Sequence, residues 1–482
     1  MPGWPQALHR TSVPPAQDPP AQDPPAQASS LAGKMIPAPA DRERPTPSPT
    51  ARPRRQLASV TLAIALATTG VLPVFLTGAL AVQLEAHLHV GATAIGGAVA
   101  TYFCASALSS VRAGRLAERI GPFRVLLAAI ALAITALFGI GLLVTALPVL
   151  LAFLFVGGLS NGAIQPAVNL LLARAVDEHR RGLAFGIKQA AIPTATLLSG
   201  LAVPALALTT GWQSAYLVAG GLALVVATAL VTGGRRLMPA RDRGSSPAGS
   251  RADRETPPFD LRPLVFLAVA MACAVAAANA LGSFVVPGAV HDGIAPGLAG
   301  LLSAAGSAVG LSTRVGLGWR ADRSSHRGPW AAEEHLKTVT LLIAIGVLGY
   351  AGLATGELGL LVPGVLLAYG GGWGYNGLFN LAVVRAYAHA PARATGITQV
   401  GTYLGGMVGP LGFGIVVDHL GYHVGWMLCA ALAVLAIVGF LVSRRRLHTA
   451  LTTTSDVTES PATAGASAPS QPTLTRSAGT AV

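Results

Sequence analysis

With 482 residues, 52% of them hydrophobic and only 11% charged, at a mean hydropathy of +0.58, the chain is excluded from ordinary soluble proteins, whose charged fraction is about 25%. It belongs in a bilayer, where each crossing needs about 20 mostly apolar residues. Its net charge of +13 invites a nucleic-acid reading, but the charges gather on one side of the apolar runs, so topology accounts for them and no nucleic-acid partner is expected.

The chain opens on residues 1–55, rich in Pro, Ala, Gln and Arg, with the pentad Pro-Pro-Ala-Gln-Asp repeated through 14–27. That composition cannot bury a core and predicts a disordered cytoplasmic tail. No apolar stretch follows a basic start, so the first span is expected to serve as the insertion signal. Twelve apolar runs follow, at 57–82, 92–113, 123–145, 148–173, 183–206, 212–233, 262–287, 295–317, 338–356, 358–384, 394–416 and 423–443. They predict an all-α membrane protein of two six-helix bundles, 56–233 and 262–446, joined by a Gly, Ser, Pro and Arg rich linker at 234–261. A Ser, Thr and Ala rich tail, 447–482, is expected to be disordered.

Arginines mark one side. Arg52, Arg54 and Arg55 precede span one; Arg115, Arg119 and Arg124 lie between spans two and three; Arg174, Arg180 and Arg181 lie between four and five. Arg235 to Arg262, Arg320 to Lys337, Arg385 with Arg393, and Arg444 to Arg446 continue the pattern. The opposite loops carry no Lys or Arg, only Glu85, His87, His89, His291, Asp292, Glu357, Asp418, His419 and His423. By the positive-inside rule both termini are expected to be cytoplasmic, in the plasma (inner) membrane. The histidines of the outer loops read as scattered surface groups, with a pH response as the alternative. Cys104, Cys273 and Cys429 fall inside spans and read as packing residues rather than a disulfide framework or a metal cluster.

The two bundles repeat one another. Gly114-Arg-Leu-Ala-Glu118-Arg119 after span two returns 204 residues later as Gly318-Trp-Arg-Ala-Asp322-Arg323 after span eight. Gly186-Ile-Lys188-Gln189 matches Gly396-Ile-Thr398-Gln399, and Gly211-Trp212 matches Gly421-Tyr422, both at an offset of 210. Asn169 and Arg174 match Asn380 and Arg385 at 211. A near-constant offset is what duplicated halves produce.

Twelve spans, a basic linker after the sixth, and a G-x-x-x-[DE]-R-x-G motif after the second span with a copy after the eighth resemble the major facilitator superfamily, over about residues 57–445. The first copy reads Gly114-Arg-Leu-Ala-Glu118-Arg119-Ile-Gly121-Pro-Phe-Arg124, with Glu where Asp is commoner and Pro-Phe where basic residues are usual. Physically, Gly114 permits close helix approach, Gly121 eases the reversal, and Glu118 and Asp322 can pair with nearby cations or a helix N-terminus. The resemblance implies a cluster that steadies one conformation, with Gly114, Glu118, Arg119, Gly121, Arg124, Arg314, Gly318, Asp322 and Arg323 as gate residues. The alternative is that these charges only anchor topology.

Polar side chains inside a bilayer are costly and face the bundle interior or water. Spans three, six, nine and twelve are almost purely apolar. Span four carries Asn161, Gln165 and Asn169 at spacing four, one helical face; span ten carries Asn376 and Asn380, matching Gln165 and Asn169. Two such stripes are expected to face each other across a central cavity, or else to hydrogen-bond between helices with no substrate. Asn279 in span seven, Gln189 in span five, and Gln399 and Tyr403 in span eleven complete the substrate-facing candidates.

Lys188 reads as the one ionised side chain well inside a span, seven residues or roughly 10 Å beyond Arg181. Two placements are open: facing the cavity, or snorkelling to the headgroups. It is not repeated, since Thr398 occupies the matching position. A lone cation without an embedded carboxylate predicts an anionic substrate such as a monocarboxylate, with proton coupling through Lys188 left open. Pro166, Pro193 and Pro410 are expected to kink spans. Gly409-Pro410-Leu-Gly412 resembles the antiporter motif that family members carry in span five, but here it stands in span eleven.

Three function classes divide the possibilities. The duplicated polar bundles predict a monomeric secondary active transporter, a symporter or facilitator of a small organic anion working by alternating access, with no cofactor. The alternative is a proton antiporter exporting hydrophobic drugs or metabolites. An embedded enzyme would need clustered acids, metal ligands or a nucleophile with its base, and a receptor or sensor would normally append a signalling domain; the sequence offers neither. It has no Walker-type loop for nucleotide.

Overall fold

The computed structural model describes residues 51–177, 184, 186–237, 261–323, 329–387 and 390–459. Most of the expected linker and tails, and the turn holding Arg180 and Arg181, lie outside that set. Every regular element among the described residues is a helix. Eleven are long and apolar enough to cross a membrane: Arg54–Ala79, Ala92–Ile120, Pro122–Leu143, Leu147–Ala175, Gly186–Thr210, Trp212–Gly234, Leu261–His291, Pro296–Ala321, Ala331–Ala354, Arg393–Leu420 and Tyr422–Leu447. They correspond to spans one to nine, eleven and twelve. The first helix begins at Ala51 and the last runs on to Glu459, past the expected bundle limits of 56 and 446.

Span ten departs from the continuous helix expected over 358–384. It is two helices, Leu358–Gly370 and Asn376–Ala386, separated by turns over 371–375. The run Gly370-Gly-Gly-Trp373-Gly374 accounts for the break, because glycine costs a helix about 1 kcal/mol per residue. Span nine also presses on it: a Cβ on Gly371 would lie 2.4 Å from the Leu342 carbonyl oxygen. Span five is likewise interrupted, by a turn at Gln189 and Ala190, before the helix resumes at Ala191. Pro193 therefore sits in the first turn of a new helical segment, where a missing N–H loses no helical hydrogen bond, rather than kinking a span interior.

The duplication is visible in the backbone. Gly211 and Gly421, matched in sequence, both adopt positive φ, 95° and 86°, where a side chain would be strained. Each is followed by a buried aromatic, Trp212 and Tyr422, that starts the next span.

Small residues set the helix packing, as expected where apolar lipid removes the hydrophobic drive between helices. Gly401, Gly405 and Gly409 form a stripe on span eleven. Their would-be Cβ atoms lie 2.1, 2.3 and 2.2 Å from the carbonyl oxygens of Ala268, Ala272 and Ala276 on span seven. Close packing thus explains Gly409 without an antiporter role. Gly405→Ala is expected to destabilise by about 1–3 kcal/mol, as overpacking does, whereas Gly412→Ala, with nothing within 4 Å, leaves stability unchanged. Thermal unfolding of the two variants in detergent checks this.

Contacts between the halves concentrate toward the arginine-poor end. There a Cβ on Gly78 of span one would meet Ser283 Cα of span seven at 2.6 Å, one on Gly96 of span two the Pro410 carbonyl at 2.3 Å, and one on Gly200 of span five the Gly300 carbonyl at 2.7 Å. Phe75 and Trp373 meet edge to face, 5.5 Å between centroids.

Candidate functional site

Lys188 neither snorkels nor lies open: it is 6% exposed, and its Nζ donates to Gln165 Oε1 of span four. The span-four amides continue that bond as a chain. Gln165 Nε2 donates to Asn161 Oδ1 at 3.0 Å, Asn161 Nδ2 to Ser106 Oγ of span two at 3.1 Å, and Ser106 Oγ to the carbonyls of Tyr102 and Gly158, 3.0 Å each. Asn161 and Gln165 thus hydrogen-bond between helices, and Gln165 holds the lysine. Asn169, the third member of the stripe, is exposed.

The expectation of one embedded cation needs correction, because Arg314 of span eight is equally buried, at 6% exposed. Its Nη1 donates to the Gln189 carbonyl at 2.7 Å, and its Nε and Nη2 to the Trp373 carbonyl at 3.3 and 2.8 Å. Both acceptors sit where a span is broken, so their carbonyls are available to a side chain. Arg314 thereby ties the break in span five, in the first half, to the break in span ten, in the second. Arg314 thus reaches the backbone of the residue that follows Lys188 in the chain. Among the described residues neither forms an ion pair with a carboxylate.

Of the other substrate-facing candidates, Asn279 and Asn376 are buried, Asn380 and Gln189 half-buried, and Gln399 exposed, so the Gln189 and Gln399 match in sequence is not a match in environment. Tyr403 is buried, with Ser110 and Gln399 as the side chains beside its hydroxyl. Thr398, opposite number of Lys188, is buried and donates to its own helix at Thr395, 3.1 Å.

Among the gate candidates, Glu118, Arg119 and Arg124 are exposed, and a Cβ added to Gly114 would lie 3.5 Å from Pro166 Cβ, an ordinary contact. Gly121 has φ 91°, and a Cβ on Gly318 would meet nothing within 4 Å. The side chains of Asp322 and Arg323 lie outside the described set.

Sequence reasoning missed a contact between the halves at the opposite end. Span two begins after Gly91, which has no side chain to cap the helix. Asp418 of span eleven supplies the cap from the other half, accepting from the backbone N–H groups of Ala92 at 2.9 Å and Thr93 at 2.8 Å. A carboxylate at a helix N-terminus is the favourable arrangement. Glu85, on the short helix Ala81–Leu88, lies close by with a buried Oε1 that has no partner. Burial, reinforced by the negative charge of Asp418, pushes its carboxyl up from 4.5 to about 7. The available signal was the uncapped Gly-Ala-Thr helix start.

With this geometry in hand, the comparisons with known proteins are consistent. The sequence model of the Major Facilitator Superfamily matches residues 57–410. An uncharacterized MFS-type transporter of Mycobacterium tuberculosis is 30% identical over 151 residues, 31% of this chain and 26% of that protein; the match thus spans about a quarter of the relative's length. Crystal structures of a bacterial homologue of the human lysosomal transporter Spinster share the fold. The inward-facing, unoccupied form gives a TM-score of 0.66 at 14% identity, covering 84% of this chain and 99% of that one. The inward-facing, occupied form gives 0.61 at 16%, covering 83% and 98%. The chain belongs to the Major Facilitator Superfamily.

Proposed function

We propose that the protein is a secondary active transporter of a small organic anion, working by alternating access as a monomer in the plasma membrane with both termini cytoplasmic. The observation that carries the anion is the pair Lys188 and Arg314: two buried cations, the second bonded to the backbone next to the first, with hydrogen bonds only to neutral oxygens among the described residues. Burying a cation costs about 3 kcal/mol on insertion scales, and an anion bound between them would offset that cost by charge-assisted hydrogen bonds.

Alternating access is supported by the asymmetry of the seam. Close backbone approaches between the halves, at Gly78, Gly96 and Gly200, lie toward the arginine-poor end. If the arginine-rich end is cytoplasmic, as the charge rule has it, this is an inward-facing conformation, like the two Spinster homologue structures.

Purified protein in proteoliposomes should take up labelled monocarboxylates under an imposed proton or substrate gradient. Lys188→Gln is expected to lower uptake about tenfold or more, the loss of one charge-assisted contact, while purified yield stays unchanged. Normal transport by Lys188→Gln would remove the anion assignment. Uptake of hydrophobic cations in place of anions would establish the exporter alternative.

A further inference from the structure

Among the outer-loop groups that read as scattered in sequence, three come together in space. His291 ends span seven, Asp292 follows it, and His423 is the second residue of span twelve. One ring nitrogen from each histidine and a carboxylate oxygen of Asp292 all lie within 4.8 Å of one another. We propose that His291, Asp292 and His423 form a site for a divalent transition-metal ion, entered from the arginine-poor face.

The chemistry of the donors selects the ion class. Two imidazoles and one carboxylate suit zinc, cobalt, nickel or copper rather than magnesium or calcium, which prefer oxygen alone. Around tetrahedral zinc, bonds of about 2.0–2.2 Å place ligand atoms about 3.3–3.5 Å apart, so the donors must close by about 1 Å. Side-chain rotation can supply that, since both histidines are exposed. Three protein ligands leave a fourth position for water.

The surroundings hold the donors in place. The His291 ring lies against Tyr422, 5.0 Å between centroids. His423 packs on Gly356, where an added Cβ would lie 2.2 Å from its Cε1. Gly293 and Gly421, with φ of 91° and 86°, turn the chain on either side of the cluster. His291 and Asp292 also stand at the C-terminal end of span seven, the negative end of the helix dipole, which favours a cation. An ion there would fasten the end of span seven to the start of span twelve.

The test is a titration of the purified full-length chain, without a polyhistidine tag, with Zn2+ and with Co2+ at pH 7.5. One ion per chain is expected at this site, with affinity lowered about tenfold or more by His291→Ala, His423→Ala and Asp292→Asn, the usual effect of altering a coordination shell. His87→Ala, His89→Ala and His419→Ala leave it unchanged. The exposed positions of the two imidazoles keep the variants folded, and a Co2+ visible band in the unaltered chain reports coordination without any substitution. Binding as tight in the His291→Ala/His423→Ala pair as in the original protein, or no ion bound up to millimolar Zn2+, overturns the site.

Discussion

Arg314→Lys is expected to cut transport about 100-fold while the protein still folds. Three hydrogen bonds leave the Arg314 guanidinium, one to the Gln189 carbonyl and two to that of Trp373. A planar fork can span two carbonyls from two helix breaks, whereas an ammonium is a compact point charge on a flexible stem. Lysine keeps the charge but loses the bridge, and hydrogen bonds to charged groups contribute about 1.5–3 kcal/mol each, so losing one or two amounts to about two powers of ten. Initial uptake rates in proteoliposomes, with thermal unfolding as the folding control, check this. Uptake by Arg314→Lys within about threefold of the original would mean that charge alone matters at this position.

Acid is expected to favour the conformation closed at the arginine-poor end, through Glu85. In that conformation its carboxyl is pushed up to about 7, against 4.5 for a solvated carboxyl. Opening that end would return Glu85 to water. Between these two values the closed state holds about one proton more than the open state, so raising the pH through the window withdraws stabilisation from the closed state. The groups facing Glu85 from the other half are Asp418 of span eleven and Tyr422 of span twelve. His87 sits on its own helix, its ring tilted against Trp212 with centroids 5.4 Å apart. Spin labels at His89 and Leu420, both exposed, report the distance across the closure. The closed fraction should rise from pH 8 to pH 5.5, and Glu85→Gln should hold it high at both. A pH response that survives Glu85→Gln belongs to the neighbouring histidines instead.

These two effects rest on different kinds of residue, and they show why the site was only partly legible. Lys188 stood out in the sequence because a cation in an apolar run is conspicuous on any hydropathy reading. Arg314 did not, because it lies near the end of its span and passes for one more arginine of the basic side; only the two helix breaks that receive it reveal its depth. The break in span ten had a local signal, the Gly370 to Gly374 run, while the turn at Gln189 had none. The amide stripe of span four was visible as spacing. That it is spent on hydrogen bonds to Ser106 and Lys188, rather than lined against span ten, depends on which helices are neighbours. Asp418 was visible only as a loop carboxylate, since nothing near it in the chain shows that it caps a helix 326 residues away.

The sequence by itself determined the helical, membrane-spanning class and the clustering of the arginines at one set of span ends, together with the duplication. These follow from local composition and length, because a bilayer demands about 20 apolar residues per crossing and retains arginines on one face. The tertiary structure alone decided which groups meet: Arg314 with Gln189, 125 residues apart, Asp418 with Ala92, and His291 with His423. Such contacts join helices whose ordering in the bundle is set by small-residue packing and buried hydrogen bonds, energies that belong to pairs of helices and leave no periodicity in either one.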